Sequence, residues 1–259
     1  MQITIHSQKE FVWMRRAGRL AAETLDFLIP YIDVDVTTND LNDLCHSFIV
    51  QSGGIPAPLH YNGFPKSICT SKNSVVCHGI PDDTPLKVGD ILNIDITVIL
   101  DGWYGDTSRM FWIGQPSSQA KLLCHATYNA LLTACECIKP GNKLNEIGRV
   151  IEQYIKRFGY SIVRQYCGHG IGQVFHTSPN VMHFYDPSNN IIIREGMFFT
   201  IEPMINAGKH HTIISRDNWT VYTKDLSLSA QFEHTIGVTQ DGIEIFTLSP
   251  KNLHYPPYN

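Results

Sequence analysis

The chain has 259 residues, 43% of them apolar, and a formal net charge of −4. That length supports a substantial core, in one large domain or two closely packed halves. The slight acidity excludes a broad basic surface, so nucleic-acid binding is not expected; no run of about 18 apolar residues and no apolar signal core in Met1 to Gly18 argue against a membrane span or secretion.

Ser7-Gln-Lys-Glu10 is a capping box that opens a helix, with Phe11, Met14, Ala21, Leu25 and Leu28 on one stripe and Pro30 as its stop. Thr38 is expected to cap a second helix carrying Leu41, Leu44, Cys45, Phe48 and Ile49, ended by Gly53-Gly54. Ile91 to Leu100 reads as a buried strand, and Asp101-Gly102 turns the chain so that Trp103 to Ile113 returns antiparallel. A third helix from about Ser117 to Ile138 stops at Pro140-Gly141, and a fourth, carrying Leu144, Ile147, Ile151, Tyr154, Ile155 and Phe158, stops at Gly159. Each half thus reads helix, helix, strands. The boundary at 114–118 is too short for a flexible linker, so a single catalytic domain is expected, with halves of about 1–116 and 117–259. The seven cysteines, Cys45, Cys69, Cys77, Cys124, Cys135, Cys137 and Cys167, include no C-x-x-C pair, which suits reduced thiols in a cytosol.

Asp95 and Asp106 lie in these otherwise apolar strands and are expected roughly opposite one another, on one face. Like charges there repel unless a cation separates them, and no Lys or Arg occurs between the two positions. The second half repeats the pattern. Gly89 precedes Asp95, and Gly196 precedes Glu202, by the same six residues. A His-Gly pair lies upstream of each acid (His78-Gly79, His169-Gly170), and a second acid followed by threonine lies downstream (Asp106-Thr107, Glu233-His234-Thr235). One module used twice directs four carboxylates to a shared centre. At about 5 Å and an effective dielectric of ~20 each pair costs about 3 kcal/mol. Six pairs therefore cost roughly 20 kcal/mol, more than the ~5 to 15 kcal/mol that keeps a domain folded. Two divalent cations would balance the charge. With His169 as nitrogen ligand, oxygen-rich ligation suits Mn, Fe(II), Co or Zn, and such a pair performs hydrolytic chemistry. His6, His46, His60, His125, His210, His211 and His254 read as surface or satisfied core, while His183 and His234 stay unassigned.

The stretches VVCHGIPDD, NIDITV, GDTSRMF, YCGHGIGQVFH, FTIEPMINAG and SLSAQFEHTI resemble the successive motifs of the type I methionine aminopeptidases, metallopeptidases with the pita-bread fold, from about Ser7 to Leu248. The resemblance implies an α+β fold of two pseudo-symmetric halves, antiparallel sheet covered by helices. It implies that Asp95 chelates one metal, Asp106 and Glu233 bridge both, and His169 and Glu202 complete the other site. A water between the ions would attack the first peptide carbonyl, with Glu202 as proton acceptor, His78 bonded near the scissile amide and His176 stabilising the oxyanion. Tyr61, Phe64, Cys69, Phe175 and Trp219, together with His78 and His176, would bind the substrate, aromatic and sulfur surfaces suiting a thioether. Backbone carbonyls of Asn73, Val75 and Ser229 would hold a monovalent cation. Two departures concern the pocket rim: Pro58 stands where many bacterial relatives have cysteine, and Phe64 where tyrosine is frequent.

The implied activity is removal of the initiator methionine from nascent polypeptides ahead of a small second residue, by a cytoplasmic monomer that could dock transiently on the ribosome. Prolidases and X-prolyl aminopeptidases carry an extra N-terminal domain for which the lead into the first helix leaves no room, and no helical insertion of the type II enzymes interrupts Thr200 to Leu248. A binding module that has lost catalysis is the competing class, and the complete ligand set argues against it.

Overall fold

The structure, a computed structural model, describes residues 3–258. The Glu10 carboxylate accepts the Ser7 N–H and hydroxyl, each at 2.7 Å, and helix α1 (Gln8–Leu28) begins there. Its stripe from Phe11 to Leu28 is buried, and the chain tightens into a 3-10 turn at Pro30. Helix α2 (Thr38–Gln51) is capped one residue earlier than the sequence suggested. Thr37 accepts the Asp40 N–H at 3.1 Å and donates both its own N–H and its hydroxyl back to the Asp40 carboxylate, whereas the Thr38 hydroxyl is occupied by the backbone of Asp82.

Strands β1 (Ile55–Pro56), β2 (Cys69–Lys72) and β3 (Val75–Cys77) precede the long hairpin of β4 (Ile91–Leu100) and β5 (Trp103–Trp112). Asp101 and Gly102, at φ 51° and 80°, form its two-residue turn. The register corrects one expectation. Asp95 faces Ser108 and Asp106 faces Thr97, so the two acids are offset by two residues along the ladder instead of directly opposed. The turn fixes that register, and the two-residue period still keeps both side chains on one face.

The second half opens with α3 (Ser118–Glu136), capped by Ser117 and ending before Ile138, and α4 (Asn145–Ile155), which runs through a 3-10 turn into left-handed Gly159. The strands that follow are β6 (Ser161–Ile162), β7 (Gly168–Gly170), β8 (Thr177–Val181), β9 (Phe198–Ile201), β10 (Met204–Asn206), β11 (Thr212–Ile214), β12 (Val221–Thr223), β13 (Ser229–Gln231), β14 (His234–Val238) and β15 (Ile243–Ile245).

The fold is α+β. In the first half β4 pairs with β5 on one side and with β1 and β2 on the other; in the second, five strands run β15-β14-β9-β7-β8, and every pairing is antiparallel. A smaller sheet joins β3 of the first half to β12 of the second. Helices α1 and α2 close one hydrophobic cluster against β4 and β5, and α3 and α4 close another against the second half's strands. Phe11, Met14, Trp103, Ile171, Phe198 and Phe246 form a third cluster that draws on both halves. Burying each such side chain is worth about 1.5 to 3 kcal/mol. At Gly105 a Cβ would lie 2.3 Å from the Ala17 carbonyl carbon, so α1 rests on the β5 backbone. On that helix-facing side of β5, Arg109 donates to Asp26 at 2.6 Å in a fully buried ion pair. Among the described residues no helix is long and apolar enough to cross a membrane.

Candidate metal centre

Two acids reach the centre from within strands and two from residues flanking strand ends. Asp95 comes from β4, Asp106 from β5, Glu202 from the residue after β9 and Glu233 from the residue before β14. His169 comes from the middle of β7, between glycines that admit no side chain: a Cβ at Gly168 would sit 2.4 Å from the Thr200 carbonyl oxygen, and one at Gly170 2.1 Å from that of Ser178. The His169 Nδ1 lies 3.1 Å from the Gly170 carbonyl and donates to it, which turns Nε2 toward the acids. Nε2 is 3.6 Å from Asp106 Oδ2 and 3.7 Å from Glu202 Oε1. Ligand atoms of Asp106, His169 and Glu233 all lie within 4.8 Å of one another.

The electrostatics of the cluster are those of a site built around positive charge. Burial raises Asp95 and Glu233 well above the carboxylate range, and the charges of Asp106 and Glu202 push both further. Burial lifts Glu202 to about 7, against the pull of His169 and with Asp106 adding to it. Burial alone would depress His169, but Asp106 and Glu202 outweigh it and leave the imidazole raised. The chain itself supplies only partial compensation. Thr97 Oγ1 donates to Asp106 at 2.8 Å, and Thr200 Oγ1 and Gln231 Nε2 donate to the two Glu202 oxygens at 2.8 and 3.2 Å. Asp95 Oδ1 is buried without a hydrogen-bond partner. A hard donor set of four carboxylates and one imidazole, one oxygen of it unsatisfied, fits divalent cations of the Mn, Fe(II), Co, Zn group.

The cluster floors a cavity of about 410 Å³. Tyr61, Phe64, Cys69, His78, Phe175, His176 and Trp219, the residues expected to meet substrate, all line it. Pro58 also lines it, and Phe64 packs edge-on to Trp219 at 5.2 Å between ring centres. His78 is held at φ 55°, a left-handed conformation uncommon outside glycine, and Tyr166 abuts its ring edge-on. Burial lowers His78, and burial followed by the neighbouring His169 lowers His176 to about 4, so both imidazoles are neutral near pH 7. The His176 Nδ1 and the Tyr61 hydroxyl are 2.9 Å apart. Asn73 and Ser229 are brought together, the Ser229 N–H donating to the Asn73 carbonyl at 2.8 Å, while Val75 lies on β3 beside Tyr222.

Several supporting residues escaped the sequence reading. Thr97, Thr200 and Gln231 each lie two residues from an acid along a strand, so the period of two was the signal that could have found them. His183, left open from the sequence, is buried and its Nε2 accepts the Glu202 N–H at 3.0 Å. His234, also left open, is buried against the Thr247 hydroxyl. A second concavity of about 530 Å³, bordered by Lys156, Tyr160, Arg164 and Phe184, carries no such acid cluster.

Fold and centre together define a metallopeptidase of the pita-bread class. The model of metallopeptidase family M24 matches residues 12–240. The chain is 60% identical to the methionine aminopeptidase of Rickettsia prowazekii (strain Madrid E) over 259 residues, all of both chains, and 50% identical to that of Escherichia coli (strain K12) over 250 residues, 96% of this chain and 95% of the other. The crystal structure of the Rickettsia prowazekii methionine aminopeptidase superposes with a TM-score of 0.94 at 59% identity, covering 95% of this chain and 100% of that one. The prolidase from Pyrococcus horikoshii OT3 shares the fold, with a TM-score of 0.74 at 23% identity over 94% of this chain and 63% of its own. This chain belongs to the methionine aminopeptidases of metallopeptidase family M24, and it is a metal-dependent enzyme.

Proposed function

We propose that this chain removes the initiator methionine from nascent polypeptides, favouring a small second residue, as a cytoplasmic monomer whose two halves, about 1–116 and 117–259, act as a single catalytic domain. The observation that carries the reading is the meeting of Asp95, Asp106, His169, Glu202 and Glu233 on the floor of a cavity walled by aromatic rings and a thiol. The identity of the relatives across the whole chain supports it. Two divalent ions would be held at the centre, one by Asp95, the other by His169 and Glu202, with Asp106 and Glu233 serving both. When bound, they supply Lewis acidity and lower the pKa of water toward neutrality.

The chain's own side chains do the rest. Glu202, raised toward neutral pH by burial, receives the proton of the attacking water. Tyr61 donates its hydroxyl proton to His176 Nδ1, which leaves the His176 proton on Nε2 to face the oxyanion. His78, neutral and fixed in its left-handed conformation, donates at the scissile amide. Tyr61, Phe64, Cys69, Phe175 and Trp219 enclose the methionine thioether, sulfur–aromatic contacts contributing roughly 0.3 to 1.5 kcal/mol each. Carbonyls of Asn73, Val75 and Ser229 would hold a monovalent cation beside the β3–β12 sheet, and any contact with the ribosome would be transient.

The test is anaerobic assay of the metal-loaded protein, with Co, Mn or Fe(II), on Met-Ala-Ser, Ala-Pro-Ala and Ala-Pro. Release of methionine is expected. Preferential cleavage before proline would replace this reading with a prolidase, and an inert protein that takes up no metal would replace it with a binding module.

A further inference from the structure

Of the two bridging acids of the proposed centre, Asp106 lies on β5 and Glu233 immediately precedes β14, yet among the described residues these strands pair in different sheets and never with each other. What joins them at the acids is a pair of threonine hydroxyls acting in opposite directions. Thr107 Oγ1 donates to the Glu233 carbonyl at 2.7 Å. Thr235 Oγ1 donates to the Asp106 carbonyl at 2.7 Å and accepts the Asp106 N–H at 3.3 Å. Between them the Glu233 N–H donates to the Ser108 carbonyl at 3.0 Å. Both threonines are fully buried, and their branched side chains have few alternative rotamers.

We infer that Thr107 and Thr235 form a reciprocal latch across the seam between the halves, and that this latch sets the separation of Asp106 and Glu233 and with it the ability to hold two ions at once. Each half clasps the main chain of the other half's bridging acid, so the backbone bearing one carboxylate cannot shift away from that bearing the other without breaking a buried bond. Within one sheet a run of ladder hydrogen bonds would do this; at this junction one main-chain bond crosses beside the acids, from the Glu233 N–H to the Ser108 carbonyl, and the threonine hydroxyls supply the others. Thr107 and Thr235 are positioning residues, since each hydroxyl engages the main chain of an acid and not its carboxylate. The inference rests on the proposed bridging role of Asp106 and Glu233.

The experiment compares Thr107→Val, Thr235→Val, the double variant and the two serine variants with the wild type, by Mn(II) titration calorimetry and by the EPR signature of spin-coupled Mn(II) pairs. Thr127→Val is the control, because Thr127 is equally buried and its hydroxyl donates to Leu123 within a helix away from the centre. The valine variants are expected to lose roughly tenfold or more in affinity for at least one ion, and to lose the coupled signal, as loss of outer-shell support does at other metal sites. Serine should restore both, and the double variant should be little worse than either single one, since the two bonds form one device. Thr127→Val should lower thermal stability in EDTA and leave Mn(II) binding unchanged.

Wild-type binding and coupling in folded valine variants would overturn the latch alone, while a wild type that binds no Mn(II) would remove the reading on which it rests. Where a valine variant fails to fold, alanine takes its place against serine. If no hydroxyl-free variant folds although the serine ones do, the hydroxyls serve the fold and not the centre, and the inference is wrong.

Discussion

Removing one charge from the cluster should stabilise the metal-free protein at alkaline pH and not at acid pH. Burial, with Asp106 adding to it and His169 opposing, lifts Glu202 from 4.5 to about 7. At ~1.36 kcal/mol per pH unit this is about 3 kcal/mol of differential free energy. The sign follows from linkage. The folded state keeps a proton that the unfolded chain releases above about 4.5, so this group's contribution falls as pH rises and the loss is complete above about 7. Glu202→Gln has no proton to lose and escapes the cost. Its amide also finds a partner, because Gln231 Oε1 is buried without one and a rotated Gln231 amide offers it. Urea unfolding in EDTA should find the variant more stable than wild type by up to about 3 kcal/mol at pH 8, and by under ~1 kcal/mol at pH 5. His183 and His234, whose pKa values burial sets, titrate alike in both proteins and cancel, whereas His169 loses the part of its raised proton affinity that Glu202 supplies. Saturating Mn(II) should reverse the order, since only the complete ligand set gains the full binding free energy. A variant less stable than wild type at both pH values in EDTA would mean that fixed partners already satisfy this carboxylate, and the argument for a cation would lose its electrostatic basis.

Burial lowers His183 and His234 to about 3, so both stay neutral in the fold. Unfolded histidine protonates below about 6.5, so stability is full above that pH and is lost progressively toward 3; urea midpoints between pH 7 and 4 should fall, and His183→Gln should flatten the slope. Asp26→Ala leaves Arg109 buried and unpaired and should cost about 3 to 5 kcal/mol in chemical denaturation. Its metal content should stay that of wild type, because Arg109 faces the helix and not the centre. Tyr61→Phe removes the partner of His176 Nδ1, and steady-state kinetics should give kcat lower by roughly tenfold with a smaller change in KM. An equal fall in kcat with His176→Ala already in place would show that Tyr61 acts elsewhere.

The large features of this fold were legible because each rests on local chemistry. Ser7 and Glu10 close a box three residues apart, and Asp101-Gly102 can adopt the positive φ angles its hairpin needs. The cap of α2 was misread by one residue because Thr37 and Thr38 are both capable caps. The choice between them lay with Asp82, which is distant in sequence and engages the Thr38 hydroxyl. The offset of Asp95 against Asp106 was legible and was misjudged: the two-residue turn read at Asp101-Gly102 already dictates the pairs Asp95–Ser108 and Asp106–Thr97. The pocket walls came from resemblance alone. Tyr61 and Trp219 converge only through tertiary packing, and no spacing along the chain announces that.

That offset also separates the two copies of the module. In the first half the acids stand two residues apart along the β4–β5 ladder, with Thr97 filling the place opposite Asp106 and donating to it. In the second, His234 pairs with Ile201, so one step further along the same antiparallel register Glu202 and Glu233 come opposite each other. Direct opposition brings side chains closer than diagonal placement does. Glu202 then requires more neutralisation from its own half, which Thr200, Gln231 and the imidazole of His169 provide. Asp95 keeps a bare oxygen that the chain does not satisfy. Under the proposed function the repeated pattern gives the four carboxylates their common direction, and the difference in register makes the two ends of the centre unequal, Asp95 offering oxygen alone while Glu202 stands beside the imidazole of His169.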